Sequence, residues 1–229
     1  MKKICTVILM ALFLLSFSLI QGQVNFSLGL KAGSNFSNLS FDPNVPSNVT
    51  KSSLTGLEYG AIAELSFIPM LSLQIEPTYI TGGCSLSGPV FADENNNIVN
   101  GKLTYNVSYL EFPILLKFKI PIPKSKISPF VFAGPNVAIL LSAKEKDEPT
   151  GYPSSDIDSK DLISSINFSL DFGAGVSYKF NSTTSITLDG RYSLGLSNIL
   201  SDKGKQSIGA NTVVKTSGFQ ISGGVIFVL

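Results

Sequence analysis

From residue 26 to residue 36 the even positions read Phe26, Leu28, Leu30, Ala32, Ser34 and Phe36, while the odd ones read Ser27, Gly29, Lys31, Gly33 and Asn35. A period of two is that of a β-strand with unlike faces. In the same way Leu57, Tyr59, Ala61, Ala63, Leu65 and Phe67 oppose Glu58, Gly60, Ile62, Glu64 and Ser66, and Leu71, Leu73, Ile75, Pro77 and Tyr79 oppose Ser72, Gln74, Glu76 and Thr78. A fourth window sets Leu110, Phe112, Ile114, Leu116, Phe118 and Ile120 against Glu111, Lys117 and Lys119. Residues 127–141 are apolar at both parities, with Gly134 and Asn136 favouring even positions for the polar side. Residues 166–180 alternate without interruption, with Asn167, Ser169, Asp171, Gly173, Gly175, Ser177 and Lys179 on the polar side. Residues 185–197 place Asp189 and Arg191 opposite Ile186, Leu188, Tyr192 and Leu194, and residues 219–229 close the series with Phe219, Ile221, Val225, Phe227 and Leu229. Eight strands are expected.

Eleven charges fall in these windows, and all are on the polar parity: Lys31, Glu58, Glu64, Glu76, Glu111, Lys117, Lys119, Asp171, Lys179, Asp189 and Arg191. An apolar face without a single charge is what hydrocarbon requires, since Lys or Arg at the bilayer midplane costs about 2–4 kcal/mol. The connections alternate too. Residues 68–70, 121–126 and 181–183 are tight turns, whereas 37–55, 83–103, 142–165 and 199–216 are long and rich in Ser, Asn, Asp, Gly and Pro. Short turns on one side and long loops on the other are the outer-membrane pattern. The expected fold is all-β, an eight-stranded antiparallel up-and-down transmembrane β-barrel.

A soluble lipocalin-like periplasmic carrier of a small apolar ligand would alternate as well, with its greasy face turned inward. The polar face argues for the membrane reading, because glycines and serines, not long solvated side chains, separate its charges. Eight strands leave an interior that side chains just fill, where an unpaired charge is costly. Lys31, Glu58, Glu64, Glu76, Glu111, Lys117, Asp171, Asp189 and Arg191 are therefore expected to form a paired lumenal network, with Lys119 and Lys179 adding to the cations. That predicts a plugged barrel; a narrow passive channel is the other reading of the same lumen.

The N-terminus changes the picture of where the chain goes. Met1, Lys2 and Lys3 precede an apolar run over 7–15 and a small-residue exit ending at Gly22, the layout of a secretory signal peptide. The run is too short to span a membrane as a helix. Residues 1–22 are thus expected to be removed, leaving a barrel domain over 23–229, and Cys5 lies too early for a lipoprotein cleavage site. Without Lys2 and Lys3 the charges are nearly balanced, so no basic footprint for nucleic acid exists. Charged residues make up 14% of the chain, against about 25% in an average soluble domain.

There is no histidine, which removes the usual general base and the commonest metal ligand; no catalytic site, cofactor or metal is expected. Asp156, Asp158 and Asp161 alternate as Ca²⁺ ligands do, but the segment lacks the glycine and terminal glutamate of such a loop and reads as solvated. The segment AGVS, residues 174–177, with the glycines of its strand, reads as close packing and not as a phosphate loop. Tyr59, Tyr79, Tyr109, Tyr178 and Tyr192, with Phe67 and Phe180, read equally as an interfacial girdle or as lipid-facing bulk.

Four segments carry a resemblance: GLKAGSNFSNL from Gly29, YLEFPILLKFKI from Tyr109, PFVFAGPNVAILL from Pro129 and DFGAGVSYKF from Asp171, with a weaker RYSLGLSNI from Arg191. With them the chain resembles the PorT-like family of small outer-membrane β-barrel proteins of Gram-negative bacteria. The uncharged apolar face implies outer-membrane lipid as surroundings, the alternating C-terminal Phe227-Val228-Leu229 is of the kind that barrel-insertion machinery engages in biogenesis, and the resemblance implies secretion-system or surface proteins as partners of the external loops. One type in that family is an accessory to protein secretion. These are scaffold motifs and name no chemistry.

Overall fold

Strands that are greasy on one face must hide the other, and here they do so by closing on themselves. The computed structural model describes residues 24–92, 98–209 and 211–229; the predicted signal peptide, with Cys5, lies outside the described residues. The elements are β1 (Asn25–Asp42), β2 (Thr50–Ile68), β3 (Leu71–Ile75), β4 (Thr78–Ala92), β5 (Ile98–Lys119), β6 (Ile127–Pro149), β7 (Ser155–Asp158), β8 (Ile166–Lys179), β9 (Thr184–Gly195), a short helix α1 (Asp202–Ile208) and β10 (Val213–Val228). All pairings are antiparallel. β1 pairs with both β2 and β10, which closes the ring.

The ring has eight members. β3 and β4 both lie between β2 and β5 and form one strand interrupted at Glu76 and Pro77. Proline has no N–H to give to the ladder, but its carbonyl accepts Ala61 N at 3.0 Å, so the interruption stays stitched. β7 pairs only with the far end of β6 and is an external hairpin outside the ring.

Large apolar side chains cover the outside: Leu30, Leu57, Phe168, Leu188 and Phe219 are exposed, while Lys31, Glu58, Asp171 and Arg191 are buried. This overturns the soluble-carrier alternative, which needed the opposite orientation. On β1 the apolar outer face runs from Phe26 to Phe36. Ten residue steps at about 3.3 Å, tilted by about 40°, cover about 25 Å, the height of an outer-membrane apolar band. Tyr59 and Tyr79 pair on this face with centroids 5.1 Å apart, and Phe172 and Tyr192 with 5.5 Å. Tyr109, expected among them, is instead buried inside, because β5 carries Glu111, Tyr109 and Val107 inward on one parity.

The long connections differ from the expected loops. β1 continues to Asp42 and β2 starts at Thr50, β4 reaches Ala92 and β5 starts at Ile98, and β6 reaches Pro149. Above the membrane the outer face turns polar while Leu39, Cys84 and Val214 stay buried inside, so pairing persists where the alternation has faded. In β6 a register shift beside Leu141 inserts one residue. Even positions up to Leu140 are buried, and beyond the bulge Ala143 is buried while Lys144 and Lys146 are exposed. Those outward lysines place the bulge at the upper edge of the hydrocarbon. α1 is capped by Ser201, whose hydroxyl accepts Gly204 N at 3.1 Å.

Candidate functional site in the barrel interior

Five of the large ionic side chains of the interior are given space by a glycine on a neighbouring strand. Lys31 stands between Gly60 and Gly224, Glu58 beside Gly33, Asp171 beside Gly134, Asp189 beside Gly175 and Arg191 beside Gly173. At Gly33 a Cβ would lie 2.8 Å from Glu58 Oε1. β6 adds aromatic bulk: Phe132 and Phe130 reach over Gly173 and Gly175, where a Cβ would approach their ring tips to 2.6 and 2.5 Å. Gly173 and Gly175 are thus sites of close approach.

Around these spaces the charges form one connected chain. Near the periplasmic turns, Glu64 accepts from Lys119 and, at 3.1 Å, from Lys117. The Lys117 ammonium also lies 4.1 Å from the centroid of the Phe130 ring and 3.0 Å from Gln74 Oε1. Gln74 passes the chain on by donating to Glu76. Glu76 is the hub, receiving Lys31 Nζ at 3.0 Å and an Arg191 guanidinium nitrogen at 2.5 Å. Lys31 also stands 3.6 Å from Glu58, and Arg191 3.6 Å from Asp171. Finally Asn136 Nδ2 bridges Glu111 at 3.0 Å and Asp171 at 3.2 Å.

Most of these side chains are sealed from solvent: those of Lys31, Glu58, Glu76, Lys117, Asp171 and Arg191 are 0–3% exposed. Asp189 lies on the same face, half-buried, and accepts the Ser222 hydroxyl at 3.2 Å. Lys179, which the alternation also put inside, is exposed at the lower rim of β8. Without it the ionic layer holds, among the described residues, six acids (Glu58, Glu64, Glu76, Glu111, Asp171, Asp189) and four bases (Lys31, Lys117, Lys119, Arg191). The neutral members Gln74 and Asn136 were legible only as polar side chains on the right parity.

Above the ionic layer the interior turns apolar. A cavity of about 50 Å³, lined by Asn35, Tyr109, Glu111, Asn167 and Gln220 among others, has room for a few waters. Over it pack Ile80, Val107, Tyr109, Ala138, Leu140 and Ala143, and then Leu39, Cys84, Ile199, Leu200 and Val214. Cys84 is fully buried. Among the described residues no group of three or more His, Cys, Asp or Glu is arranged to hold a metal ion. Asp156 and Asp158 lie on β7, and Asp161 pairs instead with Lys203 at 2.7 Å.

Residues 21–201 match the family described as outer membrane protein beta-barrel domain. No curated protein matches. Among solved structures the chain is similar to Neisserial surface protein A, with 13% identity over 88% of this chain and 96% of that one at a TM-score of 0.49. It is also similar to OprG from Pseudomonas aeruginosa, with 13% identity, 90% and 98% coverage and a TM-score of 0.46. Ail of Yersinia pestis matches with 13% identity, 90% and 100% coverage and a TM-score of 0.38.

Proposed function

The chain belongs to the outer membrane protein beta-barrel domain family, and from that premise we propose that its lumen is sealed and that it works through the strand extensions and loops outside the membrane. The protein resides in the outer membrane, bathed in its lipid. The observation that carries the reading is Glu76 at the barrel centre, gripped by Lys31 and Arg191 with all three side chains 2–3% exposed. A solute would have to break that grip, and removing one partner of a buried pair costs about 3–5 kcal/mol. The structural and interaction role then falls to the external surface, where β6 and β7 form a hairpin beyond the membrane.

The specific form of that role is an accessory to protein secretion, contacting secretion-system or surface proteins, as the PorT-like resemblance implies. Two experiments test the two halves. In a planar bilayer the folded protein gives no steady conductance; stable nanosiemens steps would make it a channel. In the parent bacterium, loss of the protein lowers secretion, and a variant with residues 149–155 replaced by a two-residue turn fails to restore it while still inserting as a barrel. Unchanged secretion on deletion, or full restoration by the trimmed variant, overturns the accessory role.

A further inference from the structure

The mouth of the barrel is built unevenly. β8 starts only at Ile166 and β9 ends at Gly195, whereas β6 runs on to Pro149 and β10 begins at Val213. The wall between β6 and β10 is therefore completed by irregular chain. Ser159 N bonds Ala143 O at 3.0 Å, Ser164 N bonds Ile199 O at 2.6 Å, and Ile199 N bonds Val214 O at 2.8 Å. Such a wall curves where a regular strand would lie flat against the core. It leaves a partly open cavity of about 240 Å³ bordered by Leu39, Val107 and Val214, with Glu145 and Ser159 at its polar side and Lys144 at its edge.

The volume sets the size of what fits. A dry cavity of about 150 Å³ takes benzene, so 240 Å³ takes a body of roughly ten carbons. The polar side sets the chemistry. The bulge beside Leu141 turns Glu145 inward, where Ser159 Oγ donates to it at 3.3 Å and leaves its other oxygen for a second donor. Asp147 repeats the negative charge two residues on, and Lys144 is exposed on the outer side of the same strand.

We infer that this cavity is a binding site for one small neutral molecule with a hydrocarbon body of roughly ten carbons and a hydroxyl end that donates to Glu145. A carboxylate end is rejected, since it would meet the charge of Glu145 with no hydrogen to offer. The site is independent of the sealed lumen, which lies beneath it.

The test uses the full barrel in lipid nanodiscs, with protein-free nanodiscs as the partition control, and 1-naphthol against 1-naphthoate as probes. Saturable binding of one naphthol per barrel is expected. Naphthoate should bind about tenfold more weakly or worse, the worth of a hydrogen bond to a charged group. Glu145→Gln, which removes the repulsion and keeps the shape, closes that gap. Ala143→Leu, or Val214→Phe from the facing wall if the first does not insert, fills the cavity and abolishes naphthol binding in barrels that keep heat-modifiable gel migration. Absence of saturable binding above the control, or binding that survives both filling variants, refutes the site. Equal affinity for naphthol and naphthoate refutes the assignment of its polar end.

Discussion

Replacing Arg191 by Met removes one guanidinium and keeps most of the volume beneath Phe132. Two acids lose by it unequally. Glu76 retains Lys31 at 3.0 Å, whereas Asp171, whose side chain is fully buried, keeps only the neutral donors Asn136, Ser169 and Ser193. The excess of acids inside grows from two to three. Leaving a buried charge without its partner costs about 3–5 kcal/mol, and burial leaves no solvent screening to soften it. Glu76→Gln perturbs the same contact from the other side with a different result. Lys31 still faces Glu58 and Arg191 still faces Asp171, each at 3.6 Å, and the acid excess falls to one. Its cost is that of weakened hydrogen bonds to charged groups, about 1.5–3 kcal/mol. Reversible urea unfolding in phospholipid vesicles, read by gel migration without boiling, measures both. Arg191→Met should be the more damaging, nearly insensitive to salt, and the double variant should cost less than the two singles together. An Arg191→Met cost below about 1 kcal/mol, or a larger cost for Glu76→Gln, would refute the idea that the network is held by charge pairing in a closed interior.

Leu30 is 70% exposed near the middle of the outer band of β1, so Leu30→Arg should cost about 2–4 kcal/mol in the same vesicle assay; a neutral outcome would mean that this face does not touch hydrocarbon. At Gly173 a Cβ would meet Gly190 O at 2.2 Å as well as Phe132, so Gly173→Ala should destabilise the barrel by about 1–3 kcal/mol. Unaltered unfolding of that variant would show that the strand separation there is freely adjustable.

The barrel was legible in the chain because lipid and a crowded interior impose opposite demands on successive residues. Lys31, Asp171 and Arg191 each sit between apolar neighbours, and no soluble surface would sort them so cleanly. What stayed hidden shares one cause, the loss of that contrast. Beyond Phe36 the outer face of β1 turns polar at Asn38 and Ser40, so its continued pairing with β10, and that of β2 with β4, left no clear periodic trace. In β6 the interior itself is greasy, with Phe130 and Phe132 facing inward, which erased the difference between faces except at Gly134 and Asn136. The bulge beside Leu141 and the cavity above it depend on residues 159–163 and 199–200 meeting across the mouth, a contact with no local signature. Tyr109 lies at the same boundary: it shares the inward parity of Val107 and Glu111, so its ring falls in the interior and not at the membrane interface. The partners within the ionic chain could not be assigned either, because any of six acids might be matched with any base on parity alone; register decides.

Arg191 and the Glu76 it grips are 115 residues apart in the chain, and Lys31 comes from the first strand of the ring. An early fragment leaves Glu76 with Lys31 alone of its two cations, and a polypeptide halted before β9 leaves Asp171 without its guanidinium. The centre of the molecule therefore records how far synthesis has gone: only a chain that has reached β9 can complete the contacts of Glu76 and Asp171.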